Sequence, residues 1–129
     1  MDFLKIDEGF LQELHAKAHQ NVRKRINFDL RTTPADTSQR MLNAMETGTD
    51  VPIHRHEDTA ETTICISGKL DVVFYNQLPN GQFKEINRVL LDPSGGSYGV
   101  QIPKGTWHTV FVHKPSMIFE AKDGRYQSK

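Results

Sequence analysis

The chain has 129 residues, a length typical of one domain with a hydrophobic core of its own. Its 16 lysine and arginine residues balance its 16 aspartate and glutamate residues, so charge gives no reason to expect a nucleic acid, an anionic membrane or an acidic substrate as partner. No stretch approaches the roughly 18 apolar residues that span a bilayer, and the N-terminus lacks a signal-peptide pattern, which predicts a cytoplasmic protein.

The first predicted element is a helix from about Glu8 to Gln20. Asp7 can cap its N-terminus, and Ile6 and Leu11 stand at the two positions of a hydrophobic staple. Apolar residues at helical spacing follow, which gives the helix one apolar stripe to lay on the body of the protein.

Residues 21–38 are polar and irregular, which predicts a loop or an arm. The basic run Arg23–Arg25 in this segment has two interpretations, a solvated turn or a role at the mouth of a site, and the sequence leaves both open.

From residue 39 onward, short β-forming runs alternate with Gly, Pro, Asn and Asp, the pattern of an all-β sandwich or barrel. The predicted strands are 40–45, 51–56, 62–67, 69–76, 83–91, 98–102, 106–113 and 117–121. We therefore expect one structural domain, in which residues 1–38 form a helix and an arm packed on a β-barrel of residues 39–129.

Three of the six histidines and one glutamate form the pattern that carries chemistry. His54 and His56 are two residues apart, so in an extended strand both side chains point to the same face. Glu61 follows after a short polar turn, and a carboxylate facing a barrel interior is costly unless it is paired or coordinated. His108 follows a tight turn much later in the chain.

Three imidazoles and one carboxylate suit one divalent transition metal ion: Fe, Mn, Ni, Co or Zn. We therefore predict a metal site at His54, His56, Glu61 and His108. A single histidine in a helix or strand is more often structural or exposed, and His15, His19 and His113 are interpreted in that way.

These residues resemble the two sequence motifs of the cupin family. The match to the first motif comprises Gly48, His54-Arg55-His56, Glu61 and Gly68, and the match to the second comprises Pro103-Lys104-Gly105 and His108. Ser97 and Val112 depart from the second motif at positions where the family commonly has glycine and asparagine, neither of which is a metal ligand there. The resemblance implies an all-β fold, a double-stranded β-helix or jelly-roll barrel, here with an N-terminal α-helix.

Over nearly its whole length the chain is similar to the WbuC-type cupin metalloproteins, which are associated with bacterial surface-polysaccharide clusters. The segments that carry this similarity are the N-terminal helix and residues 25–27, 39–44, 102–109 and 119–126. The resemblance implies a metal and a role in polysaccharide biosynthesis rather than a particular reaction.

Two apolar features of the predicted strands concern packing. Cys65 is the only cysteine, and its place in a strand predicts a packed, inert thiol. Ile64 and Ile66 lie on the face opposite Glu61, which predicts that the helix or a second subunit covers this outer face. Cupins often dimerise, so we expect a homodimer.

The sequence supports three hypotheses for function. The first is a metal-dependent enzyme on a small polar molecule, such as a sugar or sugar nucleotide, with isomerase or epimerase chemistry; Arg25, Asn27 and Arg40 are candidate substrate-binding residues. The second is a non-haem Fe(II) dioxygenase, which the same ligand set supports. The third is a non-catalytic module that binds a small molecule through its metal, because no general base stands out by spacing.

Overall fold

The computed structural model describes residues 2–124. Its elements, in chain order, are α1 (Glu8–Gln20), β1 (Arg25–Asp29), β2 (Ser38–Met45), β3 (Glu61–Gln77), β4 (Phe83–Leu91), a 3-10 turn (Pro93–Gly95), β5 (Gly99–Ile102) and β6 (Trp107–Asp123). Strands with one N-terminal helix confirm the predicted all-β class. Of the predicted barrel range, residues 125–129 lie outside the described residues, and so do Arg125 and Tyr126 of the WbuC-like closing segment.

Helix α1 has the bounds that the sequence predicts. The backbone N–H of Phe10 donates to Asp7 Oδ1 at 2.9 Å, so Asp7 satisfies one of the free donors of the first turn. Leu11, Leu14 and Ala18 form the buried stripe of the helix. No helix within residues 2–124 combines the length and the apolar character needed to cross a lipid bilayer.

The segment 21–38, predicted to be a loop or an arm, contains a β-strand. Arg25–Asp29 forms β1, the edge strand of the sheet, and it pairs antiparallel with β2. Ile26 and Phe28 alternate with polar residues and pack under the helix, and this period of two is what makes the segment a strand.

The sheet runs in the order β1-β2-β6-β3-β4, and β5 pairs with β3. Strands β3 and β6 have 17 residues each, so each of them replaces two predicted strands. Their register shifts near Gly68, whose φ is +97° and whose hydrogen sits against the Pro115 carbonyl and the Ser116 side chain. The chain therefore bends here without ending its pairing.

The predicted strand at residues 51–56 is also wrong, because this segment pairs with β6 only at His54. Reciprocal backbone hydrogen bonds of 3.0 and 2.8 Å join His54 and His108. A single bridge leaves the rest of the segment free to follow the rim of the barrel.

Two apolar cores hold the fold together. The barrel core contains residues from β2, β3, β4, β5 and β6, among them Leu70, Val72 and Ile118. The second core lies between α1 and the outer face of the sheet and includes Leu42 and Met117. Buried apolar side chains on both faces of β2 and β6 fix which residues point into the barrel.

Cys65 is buried in the barrel core, which confirms the packed thiol, and burial raises its pKa to about 11. On the opposite face, Ile64 and Ile66 are 38% and 40% exposed. The prediction that α1 covers them is wrong, because the helix packs against β1, β2 and the second half of β6. Cover by a second subunit, and with it the homodimer, stays a prediction.

Candidate metal centre

A cavity of about 570 Å³ opens at one end of the barrel. It is lined by residues 53–59, by residues 122–124 at the end of β6, and by Gln39 and Trp107. The rim segment and two strands therefore bring together polar side chains that are far apart in the sequence.

The predicted histidines converge in this region. One ring nitrogen from each of His54, His56 and His108 lies within 4.8 Å of the other two. The backbone bridge from His54 to His108 fixes two of the rings, whose centroids are 4.3 Å apart. His56 follows two residues after His54 and its ring lies 5.3 Å from that of His54.

Backbone carbonyls determine which nitrogen of two rings faces the centre. Nδ1 of His54 lies 2.9 Å from the Pro52 carbonyl, and Nδ1 of His108 lies 2.9 Å from the Thr106 carbonyl. Since a carbonyl oxygen only accepts, Nδ1 carries the proton in both rings and Nε2 presents a lone pair. Metal-binding histidines are oriented in this way, so these residues fit a metal ion.

The protonation state of His54 fits the same role. Burial lowers its pKa to about 4, and the neighbouring rings of His108 and His56 add to the decrease, although the Pro52 carbonyl opposes it. The imidazole is therefore neutral at pH 7, which is the form that binds metals.

Glu61 is the first residue of β3 and is only 6% exposed. Its Oε1 lies 3.1 Å from His56 Nε2, its Oε2 lies 4.0 Å from His108 Nε2, and Thr63 Oγ1 donates to Oε2 at 3.0 Å. Burial raises the pKa of Glu61, but the His56 hydrogen bond and the nearby rings lower it by more. The structure thus brings all four predicted ligands together, with Glu61 in contact with two of the three histidines.

Two functional candidates on β6 do not follow from the sequence reasoning. Lys122 stands opposite Glu61 in the sheet, and its Nζ lies 3.0 Å from His56 Nδ1. Glu120 stands opposite Thr63, and burial together with the negative charge of Glu61 raises its pKa to about 8. Glu120 and Lys122 stand two and four residues after Ile118, which lies in the barrel core, so all three side chains point to the same face of the strand. This spacing is the sequence signal that indicates inward-facing side chains.

Trp107 and Arg55 form one wall of the cavity mouth. The Arg55 guanidinium stands 4.5 Å from the centre of the Trp107 ring and also pairs with Glu57 Oε1 at 3.0 Å. Phe83 packs on the same indole with a ring separation of 5.0 Å. These contacts join the wall to the β3–β4 side of the barrel.

The three predicted substrate-binding residues lie elsewhere. Arg25 donates to the Asp50 carbonyl at 3.0 Å and thereby holds the loop that leads to the histidines. Asn27 is exposed on the edge strand, and Arg40 lies 3.8 Å from Asp36. None of the three is among the described residues that line the cavity, and their binding role stays a prediction.

A family model described as a domain of unknown function, DUF6016, matches residues 6–88. No curated protein matches the chain.

Solved structures of cupins resemble this fold. A cupin-2 domain protein from Shewanella frigidimarina has a TM-score of 0.56 at 20% identity, over 78% of this chain and 80% of that one. KdgF from Halomonas sp. has a TM-score of 0.57 at 15% identity, over 84% and 86%. The capsular polysaccharide assembling protein CapF from Staphylococcus aureus has a TM-score of 0.60 at 20% identity, over 78% of this chain but 26% of CapF. These likenesses show a cupin fold.

Proposed function

Because this chain belongs to the DUF6016 family and has a cupin fold, we propose that it binds one divalent transition metal ion beside the cavity, where His54 and His56 form part of the wall, and acts on a small polar molecule held in the cavity. The observation that carries the proposal is the convergence of three imidazoles, two of which have backbone contacts that turn their Nε2 lone pairs inward. His54, His56, His108 and Glu61 would hold Fe, Mn, Ni, Co or Zn.

The metal, when bound, supplies Lewis-acid polarisation of a carbonyl or hydroxyl oxygen. The chain itself supplies a cavity of about 570 Å³, which is large enough for a monosaccharide derivative. Gln39 lines this cavity, and its Nε2 donates to the Gly124 carbonyl at 3.1 Å.

The substrate class that we propose is a sugar or sugar nucleotide in surface-polysaccharide biosynthesis, with isomerase or epimerase chemistry. The similarity to the WbuC-type cupins supports it, and so does the likeness to the cupin-like part of CapF, a capsular polysaccharide assembling protein.

Metal analysis of matched variants tests the centre. The protein, the His54→Ala/His56→Ala variant and the His19→Ala/His113→Ala variant are reconstituted with each candidate metal, dialysed and analysed by mass spectrometry. The protein and the second variant should hold about one equivalent of metal and the first variant little, because only the first loses ligands. Equal metal in all three samples would contradict the proposal.

Assays of the metal-loaded protein then distinguish the three functional hypotheses. Solvent deuterium entering a sugar carbon, followed by NMR, is expected for an isomerase or epimerase. Oxygen uptake with Fe(II) alone would instead indicate the dioxygenase, and metal-dependent binding of a sugar without turnover would indicate the non-catalytic module.

A further inference from the structure

Lys122 makes a contact that a metal ion at His56 would disturb. Its Nζ lies 3.0 Å from His56 Nδ1 and 3.4 Å from His56 Nε2, and its side chain lines the cavity. Its backbone is fixed by pairing on both sides, with Gln39 of β2 and with Glu61 of β3. Any change at Lys122 is therefore confined to its side chain.

The hydrogen bonds of His56 define its tautomer in this structure. Its Nε2 lies 3.1 Å from a Glu61 oxygen, and a carboxylate only accepts, so Nε2 carries the proton. Nδ1 is then the acceptor for the Lys122 ammonium. In His54 and His108 the assignment is reversed, with Nε2 as the lone pair that faces the centre.

Metal binding through His56 Nε2 and the Lys122 contact exclude one another. For Nε2 to become a ligand, the ring proton has to reside on Nδ1, which then faces the ammonium as a second donor. A divalent cation also repels the ammonium, and this repulsion is strong in a half-buried site. The Lys122 side chain consequently has to leave His56, and the space that it lines is the cavity.

The charge of the loaded centre then favours an anion. The two positive charges of the metal and the one of Lys122 exceed the negative charge of Glu61, and they still exceed it if Glu120 is ionised as well. The acidic side chains Glu57, Asp58 and Asp123 also line the cavity, but they are exposed at its mouth, and Glu57 is paired with Arg55. Exposed charges are screened, so the interior keeps its positive excess.

We propose that Lys122 is the ligand-recognition residue of this centre: metal binding displaces its ammonium from His56, and the ammonium then pairs with an anionic oxygen group of the molecule bound at the metal. The inference rests on the proposed metal centre and narrows its substrate class to molecules with a carboxylate or a phosphate. It transfers the anchoring role from Arg25 and Arg40, which lie outside the cavity lining, to a residue inside it.

The first test is metal affinity. Co(II) is titrated against a chromophoric chelator with the protein, the Lys122→Met variant and the Lys84→Met variant, which removes an equal charge from an exposed position on β4. Lys122→Met should bind Co(II) about tenfold more tightly, because it removes both the repulsion and the competing hydrogen bond. Lys84→Met should match the protein within about twofold. Equal affinity in Lys122→Met would overturn the displacement.

The second test is anion recognition in the Co(II)-loaded proteins. Oxalate, inorganic phosphate and the neutral chelator ethylene glycol are titrated, and binding is followed by the visible absorption of Co(II). At least one of the two anions should bind about tenfold less tightly to Lys122→Met, with recovery in Lys122→Arg, while ethylene glycol binds all variants alike. The anion that is affected distinguishes a carboxylate from a phosphate ligand.

The two proposals fail in different ways. If the unaltered protein takes up no Co(II), the metal centre itself is contradicted, and the inference falls with it. If Co(II) binds but both anions bind Lys122→Met as they bind the unaltered protein, the role of Lys122 is overturned and the metal centre stands.

Discussion

Replacing Glu120 with glutamine should change how the stability of the metal-free protein depends on pH. The Glu120 carboxyl stands on β6 opposite Thr63, a residue of the barrel interior. Its pKa is raised from the usual 4.5 to about 8. Burial is the main cause, and the negative charge of Glu61 adds to it. The folded protein therefore holds this proton more tightly than the unfolded chain does.

The sign of the effect follows from that difference. The stabilisation due to the proton is complete below about pH 4.5 and is lost as the pH rises to about 8. The full difference corresponds to a ceiling of about 5 kcal/mol. Glu120 keeps some solvent exposure, and Lys122 favours the charged form of Glu120, so we expect the proton to contribute about 2 kcal/mol to the free energy of unfolding.

Urea unfolding in the presence of a chelator measures the free energy of unfolding at about pH 5 and about pH 9, which lie on either side of the pKa of Glu120. Between these two pH values the free energy of unfolding of the unaltered protein should fall by about 2 kcal/mol more than that of Glu120→Gln. Glu13→Gln, an exposed change on α1, should behave like the unaltered protein. Equal losses in the protein and in Glu120→Gln would refute a carboxyl that is protonated in the folded state.

Three further experiments test the fold. Gly68→Ala should lower the free energy of unfolding in urea by at least about 3 kcal/mol, because a methyl group there meets Pro115 and Ser116. Gly81→Ala should lower it by only about 1 kcal/mol, because Gly81 has a similar positive φ but open space around it, and equal losses would contradict the close approach at Gly68. Asp7→Ala should cost about 1 kcal/mol and Asp7→Asn much less, and identical losses would exclude the cap. Cys65 should stay unmodified by a thiol reagent at neutral pH until urea unfolds the protein, so rapid labelling of the folded protein would contradict its burial and raised pKa.

Elements with local signals are predicted well from this sequence. The bounds of α1 follow from the Asp7 cap and the helical spacing after it, and those of β4 follow from turn residues at both ends. The pairing of distant segments is not predicted in the same way. Gly68 has the chemistry of a strand end, yet β3 continues through it because β6 remains beside it on both sides of the bend.

The candidate centre shows the same division. The four candidate ligands are predicted because His54, His56 and Glu61 fall within one short stretch and His108 follows a tight turn that starts another strand; the cupin resemblance agrees with this choice. Lys122 is missed although its spacing from Ile118 indicates an inward-facing side chain, because lysine in an alternating strand is normally a solvent-facing residue. Its backbone stands opposite Glu61 in the sheet, and its ammonium lies 3.0 Å from His56 Nδ1.

The long pairing between β3 and β6 also bears on how the protein reaches its native state. Tyr75 pairs with Trp107 at one end of this pairing, and Glu61 pairs with Lys122 at the other. Dozens of residues lie between the partners in the sequence, and they have to be arranged before the two strands can pair. Such non-local pairing makes folding slow. During synthesis, His54 and His56 leave the ribosome well before His108, and the nascent chain cannot bring the four predicted ligands together until β6 has been added. Metal uptake would consequently report completed folding of the whole barrel.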